Sequence, residues 1–145
     1  MDEIVVEIPG DAVPQPRARS TRGGRMYTPA GRVGPFKQAV GLLVTAAARR
    51  ARWKPVEGLA YIVDIQAVFG RPPSHLAAGG GLRTKAPRWP GHNCGDVDNL
   101  EKAILDAITA TPAWGDDTQV VDGRCRKRYA ERGEPARTLI TIRRV

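Results

Sequence analysis

Apolar and polar residues along this chain change period several times, and each change marks an element. Glu3 to Ile8 alternate, which predicts a first strand closed by Pro9 and Gly10. From Pro35 to Trp53 the apolar positions Phe36, Val40, Leu43, Ala47 and Ala51 recur at helical spacing, with Pro35 suited to the first turn. Between Ala60 and Phe69 the period returns to two. Tyr61, Val63, Ile65, Ala67 and Phe69 share one face of that strand, and Asp64 and Gln66 the other. Asn99 to Ala110 carries a helical stripe of Leu100, Ala103, Ile104, Ala107 and Ile108. Thr118 to Tyr129 and Arg137 to Arg144 read as two strands joined by the turn Glu131-Arg132-Gly133-Glu134-Pro135, an antiparallel hairpin. The order β-α-β-α-β-β predicts an α+β fold, a mixed sheet of about four strands with two helices packed on one face.

Two segments carry no period. Asp11 to Gly34 is dominated by Pro, Gly and Arg and cannot bury itself, so Arg17, Arg19, Arg22 and Arg25 are expected to lie along a phosphate backbone. Gly70 to Gly95 is long for a loop inside a compact domain, a length that points to a binding role. It reads as a substrate-side loop that orders on binding, and Arg83, Lys85 and Arg88 are its expected DNA contacts. His75 and His92 sit in no catalytic motif and are read as solvated or phosphate-facing.

Charge sharpens this picture. The 145 residues suit one domain spanning 1–145, with a net charge of +8 and a pI near 10.2. Eighteen of the 23 basic residues are Arg, the better fork for phosphate oxygens. No acid lies between Ala12 and Val56, against ten Lys and Arg, and none between Ile65 and Gly95, against four. Yet seven of the fifteen carboxylates fall between Asp96 and Asp122, with Lys102 as the single basic residue before Arg124. Carboxylates crowded together repel one another, and a bound cation is the usual compensation. A chain basic almost throughout except for one acidic island is suited to hold a polyanion by its phosphates and present metal to one of them. No apolar run approaches the roughly 20 residues of a membrane span, and the first residues lack the regions of a signal peptide, so a cytoplasmic protein is expected. Cys94 and Cys125 are too few for a disulfide framework and are expected as thiols, and His92 near Cys94 lacks the partners of a zinc site.

Within the island, Asp96 and Asp98 precede a helix two residues apart. In an extended segment both would point to one side and reach one ion. Asp98 has a rival structural role, because Glu101 follows at capping-box spacing with Asp98 as N-cap. Lys102 lies one turn beyond Asp98 and should place its ammonium beside the carboxylates, against the scissile phosphate, unless it is spent on an ion pair with Asp98 or Asp106. Asp116 and Asp117 stand in a turn running into a strand, where alternation lets only one of them join the first pair and does not say which. A non-catalytic DNA-binding module, with acids that merely cap a helix and fill turns, would explain the basic stretches but not the paired acids.

The run Asp96, Val97, Asp98, Asn99, Leu100, Glu101, Lys102, Ala103, followed by Asp106, Ala107 and then Trp114, Gly115, Asp116, Asp117, Thr118, Gln119, Val120, resembles the RusA family of crossover-junction endodeoxyribonucleases, Holliday junction resolvases found widely in phages and prophages. The signature covers about a fifth of the chain. The early strand, the Arg-rich loop around Tyr27, Thr28 and Pro29, and the helix after it fit the same layout. The resemblance implies that Asp96, Asp98 and Asp117 are metal-binding catalytic carboxylates and that Lys102 is a catalytic lysine. It also implies a homodimer on four-way junction DNA, with Mg2+, or Mn2+ in its place, supporting paired symmetric nicks in recombination and repair. A less selective nuclease for branched DNA would use the same site. Many members have a basic residue or proline before the first Asp. Here Asn93, Cys94 and Gly95 stand there, so Arg88 or another loop residue must supply that charge.

Overall fold

A computed structural model describes residues 2–17, 19–27 and 31–145, without the side chains of Arg19 and Tyr27. In chain order the elements are β1 (Glu3–Pro9), β2 (Arg19–Ser20), β3 (Met26–Tyr27), α1 (Val33–Arg50), β4 (Tyr61–Phe69), α2 (Val97–Thr109), β5 (Val120–Tyr129) and β6 (Arg137–Arg144). β2 and β3 form a two-residue ladder inside the Arg-rich loop, and the other four strands form one mixed sheet in the order β1-β6-β4-β5. β6 runs antiparallel to both β1 and β4, while β4 and β5 are parallel. A parallel pair cannot be closed by a tight turn, and α2 lies in the crossover between them. The expected hairpin of β5 with β6 does not form, because β4 lies between them. β4 is buried at Tyr61, Val63, Ile65, Ala67, Val68 and Phe69, which suits a strand paired on both sides. β5 carries Arg124, Arg126, Lys127 and Arg128 and takes an edge, where Arg124 and Arg126 reach water and discourage pairing with another chain.

The core lies between one sheet face and the two helices. Ile4, Val6 and Ile8 of β1, Ile140 and Ile142 of β6 and the odd-numbered residues of β4 meet Phe36, Val40, Val44 and Ala48 of α1 and Leu100, Ile104 and Ile108 of α2. The α2 stripe is the one its period predicts. On α1 the buried face runs through Phe36, Val40, Val44, Ala47 and Ala48, and Leu43 is exposed, since it lies about 100° around the helix from Val44. α1 also begins at Val33, ahead of Pro35, and ends at Arg50, with Arg49 and Arg50 placed favourably for the helix dipole. Past α1 the chain turns back so that the Trp53 indole donates to the Ala113 carbonyl at 2.8 Å. Among the described residues no helix is long and apolar enough to cross a membrane.

The turn between β5 and β6 is fastened by one carboxylate. Glu134 receives both arms of the Arg128 guanidinium at 2.5 and 2.7 Å, Arg137 Nη2 at 3.2 Å and the Glu131 amide at 2.9 Å. Arg128 above all, then the Glu131 amide, holds the Glu134 carboxyl down to about 2. A carboxyl depressed in the folded state adds stability above its ordinary value of 4.5, and that contribution is lost as pH falls from there toward 2. Melting midpoints of Glu134→Gln and the parent protein, measured between pH 6 and pH 2, are expected to differ most at pH 6 and to converge on acidification.

Candidate functional site

The entry to α2 is built by contacts from two other segments, the loop after β1 and strand β5. Gly95 has φ +83° and packs so tightly on Pro14 that a Cβ there would stand 2.6 Å from the proline ring. Lys127 of β5 donates to the Gly95 carbonyl at 2.8 Å, and the Gln15 amide donates to the Asn99 carbonyl at 2.9 Å. This left-handed turn starts the helix two residues earlier than expected, so the N-cap is Asp96, whose Oδ1 accepts from the Asn99 amide at 2.9 Å. Asp98 is therefore no cap. It lies in the first turn of α2, where the extended-chain argument for aiming Asp96 and Asp98 to one side does not hold. Asp96 Oδ2 instead faces Arg17 Nη2 at 3.3 Å.

Further along α2, Glu101 lies over β5. Gly123 leaves the room, since a Cβ there would stand 2.7 Å from Glu101 Oε1. Burial, and then the Asp98 charge, push the Glu101 carboxyl above its ordinary range. Burial beside Glu101, Asp64 and Asp98 pushes the Cys125 thiol up to about 12, which keeps it inert. Lys102 is one turn before Asp106 and pairs with it at 3.6 Å, and Asp106 also meets Lys37 of α1 at 3.7 Å. Asp98, Lys102 and Asp106 thus follow one another at i, i+4 spacing along the helix.

The second acidic segment is not the strand entrance that alternation assumed. Asp117–Gln119 is a single 3₁₀ turn capped by Asp116, whose Oδ1 accepts from the Thr118 amide at 3.0 Å. Gln119 returns to accept from the amides of Gly115 and Asp116 at 2.9 and 3.2 Å, and donates to the carbonyls of Val56 and Leu59 at 3.0 and 2.9 Å. One amide thereby ties the turn to the chain between α1 and β4. The Thr118 amide and Asp117 lower the Asp116 carboxyl, which is committed to the turn. The hydrogen bond with Asp116 raises the Asp117 carboxyl, as do its slight burial and the charges of Asp116 and Asp106, against the opposing pull of Lys102.

The acids expected to share one ion are distributed rather than gathered. Asp96 faces Arg17, Asp98 has Glu101 as its charged neighbour, and Asp117 has Asp106 and Lys102. Among the described residues no three carboxylate, imidazole or thiol groups converge on a common point. The donor chemistry nonetheless fits a hard divalent cation: the acids offer oxygen ligands only, and the Asp98 charge is felt at Glu101 as those of Asp116 and Asp106 are at Asp117. α2 packs against both β5 and the Asp117 turn, so these acids lie on neighbouring elements.

Cationic groups rim this region. Arg17, His92, Asp96, Asn99 and Lys127 line a cleft of about 720 Å³ at the start of α2. Arg22 and Arg25 are exposed in the turn between β2 and β3, while Thr28, Pro29 and the Arg19 side chain lie outside the described residues. In the loop after β4, Lys85 is exposed, Arg83 spends its Nε on the Leu76 carbonyl at 2.8 Å, and the Arg88 guanidinium lies 5.2 Å over the Trp89 ring. Sequence reasoning missed Lys127 and the position of Glu101. Lys127 is one of four basic residues on an edge strand and carries no local mark of its own. Glu101 could have been found from Gly123, the one residue without a side chain in that strand.

The family model for endodeoxyribonuclease RusA matches residues 9–143, nearly the whole chain, and the chain belongs to that family. The crossover junction endodeoxyribonuclease RusA of Escherichia coli (strain K12) is 46% identical over 46 residues, 32% of this chain and 38% of that protein. The enzymes of the same name from Shigella sonnei and Enterobacteria phage 82 match with the same identity and coverage. The match thus spans well under half the length of these curated relatives.

Proposed function

We propose that this protein is a divalent-cation-dependent endodeoxyribonuclease that resolves four-way DNA junctions by paired symmetric nicks. The observation that carries this reading is the family match across 9–143, with its acidic signature placed on packed, adjacent elements of an otherwise basic molecule. Asp96, Asp98 and Asp117 are the proposed ligands of one or two Mg2+ ions, with Mn2+ able to substitute. When bound, such ions would lower the pKa of an attacking water and neutralise the phosphate.

The chain's own residues carry the rest. Arg17 and Asp96 form an exposed pair, worth at most about 1 kcal/mol, so a DNA phosphate can take Arg17 and leave Asp96 free for a cation. Lys102 is exposed and its i,i+4 pair with Asp106 at 3.6 Å is weak, so its ammonium can turn to the phosphate and add positive charge as negative charge builds there. Arg22, Arg25, Lys85 and Arg88, with Arg19 and Arg83, fix the DNA by its backbone and add salt dependence to binding. Two symmetric cuts call for two sites about a twofold axis, as a homodimer supplies. The acid island and its basic rim suit work on DNA in the cytoplasm, in recombination and repair.

The test is cleavage of four-way junctions, Y-forks and linear duplex, with Mg2+ and with EDTA, and with nick positions mapped on both strand pairs. The expected result is Mg2+-dependent nicking of the four-way junction at symmetric positions and little of the duplex. Equal cutting of all three would make it a general branched-DNA or duplex nuclease. Junction binding indifferent to EDTA, with no nicks, would make it a binding module.

A further inference from the structure

The loop between β4 and α2 presents one residue that neither the fold nor the acidic site uses. Trp89 is 59% exposed, whereas Trp53 and Trp114 are 4% and 1% exposed. An indole left in water forfeits much of the large burial gain its ring offers. Trp89 is not on a loose tether. One residue pair earlier the Pro87 carbonyl accepts from Arg71 Nη1 at 2.6 Å, and the Arg71 guanidinium lies 4.3 Å over the Tyr129 ring of β5. Pro90, which follows, is buried. Upstream, the loop closes on itself through Arg83 to the His75 carbonyl at 2.9 Å and Ala77 to the Gly81 carbonyl at 2.7 Å. The indole is therefore displayed from a fastened base.

Its surroundings define what it meets. Arg83, Lys85 and Arg88 precede it in a stretch of thirty-one residues without an acid, and the Arg88 guanidinium lies over its ring at 5.2 Å. His92, three residues on, lines the cleft that holds Asp96 and Lys127. Three residues of extended chain span at most about 11 Å, so the indole stands within a few nucleotides' reach of that cleft. An exposed aromatic ring under an arginine, close to a cleft lined by Arg17, His92 and Lys127, is an arrangement by which proteins stack on an unpaired base. A continuous duplex hides the faces of its bases. A branch point, where stacking is interrupted, exposes them.

Resting on the junction-nuclease reading above, we infer that Trp89 is a base-stacking residue that selects branched DNA by inserting against a nucleobase unstacked at the strand-exchange point. Truncating an aromatic that stacks on a base weakens binding by about tenfold or more. The test compares the parent protein with Trp89→Ala and Trp89→Phe in EDTA, so that nothing is cut. The DNAs are a four-way junction with 2-aminopurine beside the crossover and a linear duplex of the same sequence. The parent should raise the 2-aminopurine fluorescence on binding, and the junction should quench its exposed tryptophan emission. Trp89→Ala should do neither and should bind the junction about tenfold more weakly, with duplex affinity and melting temperature unchanged. Trp89→Phe should retain part of both effects.

Equal junction affinity for Trp89→Ala and the parent would overturn the inference, as would an equal loss on junction and duplex. So would a shift of Trp89→Ala alone to a smaller species on size exclusion, which would assign the indole to a protein contact. Failure of the underlying reading shows differently: the parent itself would then prefer no branched DNA and make no nicks in Mg2+.

Discussion

Asp98→Asn is expected to slow junction nicking by on the order of a thousandfold while leaving junction affinity within about twofold of the parent protein. The substitution keeps the shape of the side chain and removes its charge. Because Asp96, and not Asp98, caps α2, the change leaves the cap intact. What it takes from the fold is a favourable charge in the first helical turn, about 0.3–1 kcal/mol, too little to unfold the protein. Binding rests on the arginines and survives, or even gains, when a negative charge near the phosphate is lost. Single-turnover nicking in Mg2+, with band-shift affinity in EDTA, separates the two quantities. Nicking at parental rates would remove Asp98 from the proposed ligand set. Asp117→Asn should behave alike, since its neighbour Asp116 holds the turn. Asp96→Asn is a sharper comparison: Asn also serves as an N-cap, so any loss of cleavage there reports on charge and not on helix entry.

How far the chain could be read depended on whether the deciding contacts were local. The α2 stripe and the alternation of β4 were legible because burial imposes its period on consecutive residues. The place of β5 was not. A strand shows which of its faces is buried but not which neighbour it pairs with, and the turn at Glu131–Pro135 looked sufficient for a hairpin, although β4 takes the position between. At the α2 entry two aspartates were competent caps, and the choice fell to Gly95, held by Pro14 and by Lys127 thirty-two residues away. The Asp117 turn owes its shape to Gln119 reaching Val56 and Leu59, contacts across sixty and more residues. Alternation failed there because the backbone is a 3₁₀ turn. The residue types of the site were readable, and their grouping into Asp98 with Glu101 and Asp117 with Asp106 was not. That grouping depends on where α2 lies along β5, which no short window of residues encodes.

Trp114→Ala is expected to destabilise the protein by about 3–5 kcal/mol, lowering the melting temperature by on the order of 10 °C. The Trp114 indole is buried, donates to Thr109 Oγ1 at 3.0 Å and lies 6.0 Å from the Tyr61 ring, which is in turn 6.3 Å from Trp53. Removing it opens a cavity beneath the junction of α2, β4 and β5 that rigid neighbours cannot fill. Thr109 keeps a partner, since its hydroxyl donates to the Leu105 carbonyl at 2.9 Å, so the cost is one of packing rather than of an orphaned polar group. Nicking should fall by more than the folded fraction accounts for. Gly115 follows directly and begins the turn that Gln119 closes around Asp117, so slack at Trp114 is passed to that carboxylate. Thermal melts followed by circular dichroism, with nicking measured well below the transition, distinguish the two losses. Trp114→Phe, which keeps most of the ring, should recover much of the stability. If Trp114→Ala instead melts with the parent, the aromatic row Trp53-Tyr61-Trp114 does not bear on the core, and the coupling of the Asp117 turn to it fails as well.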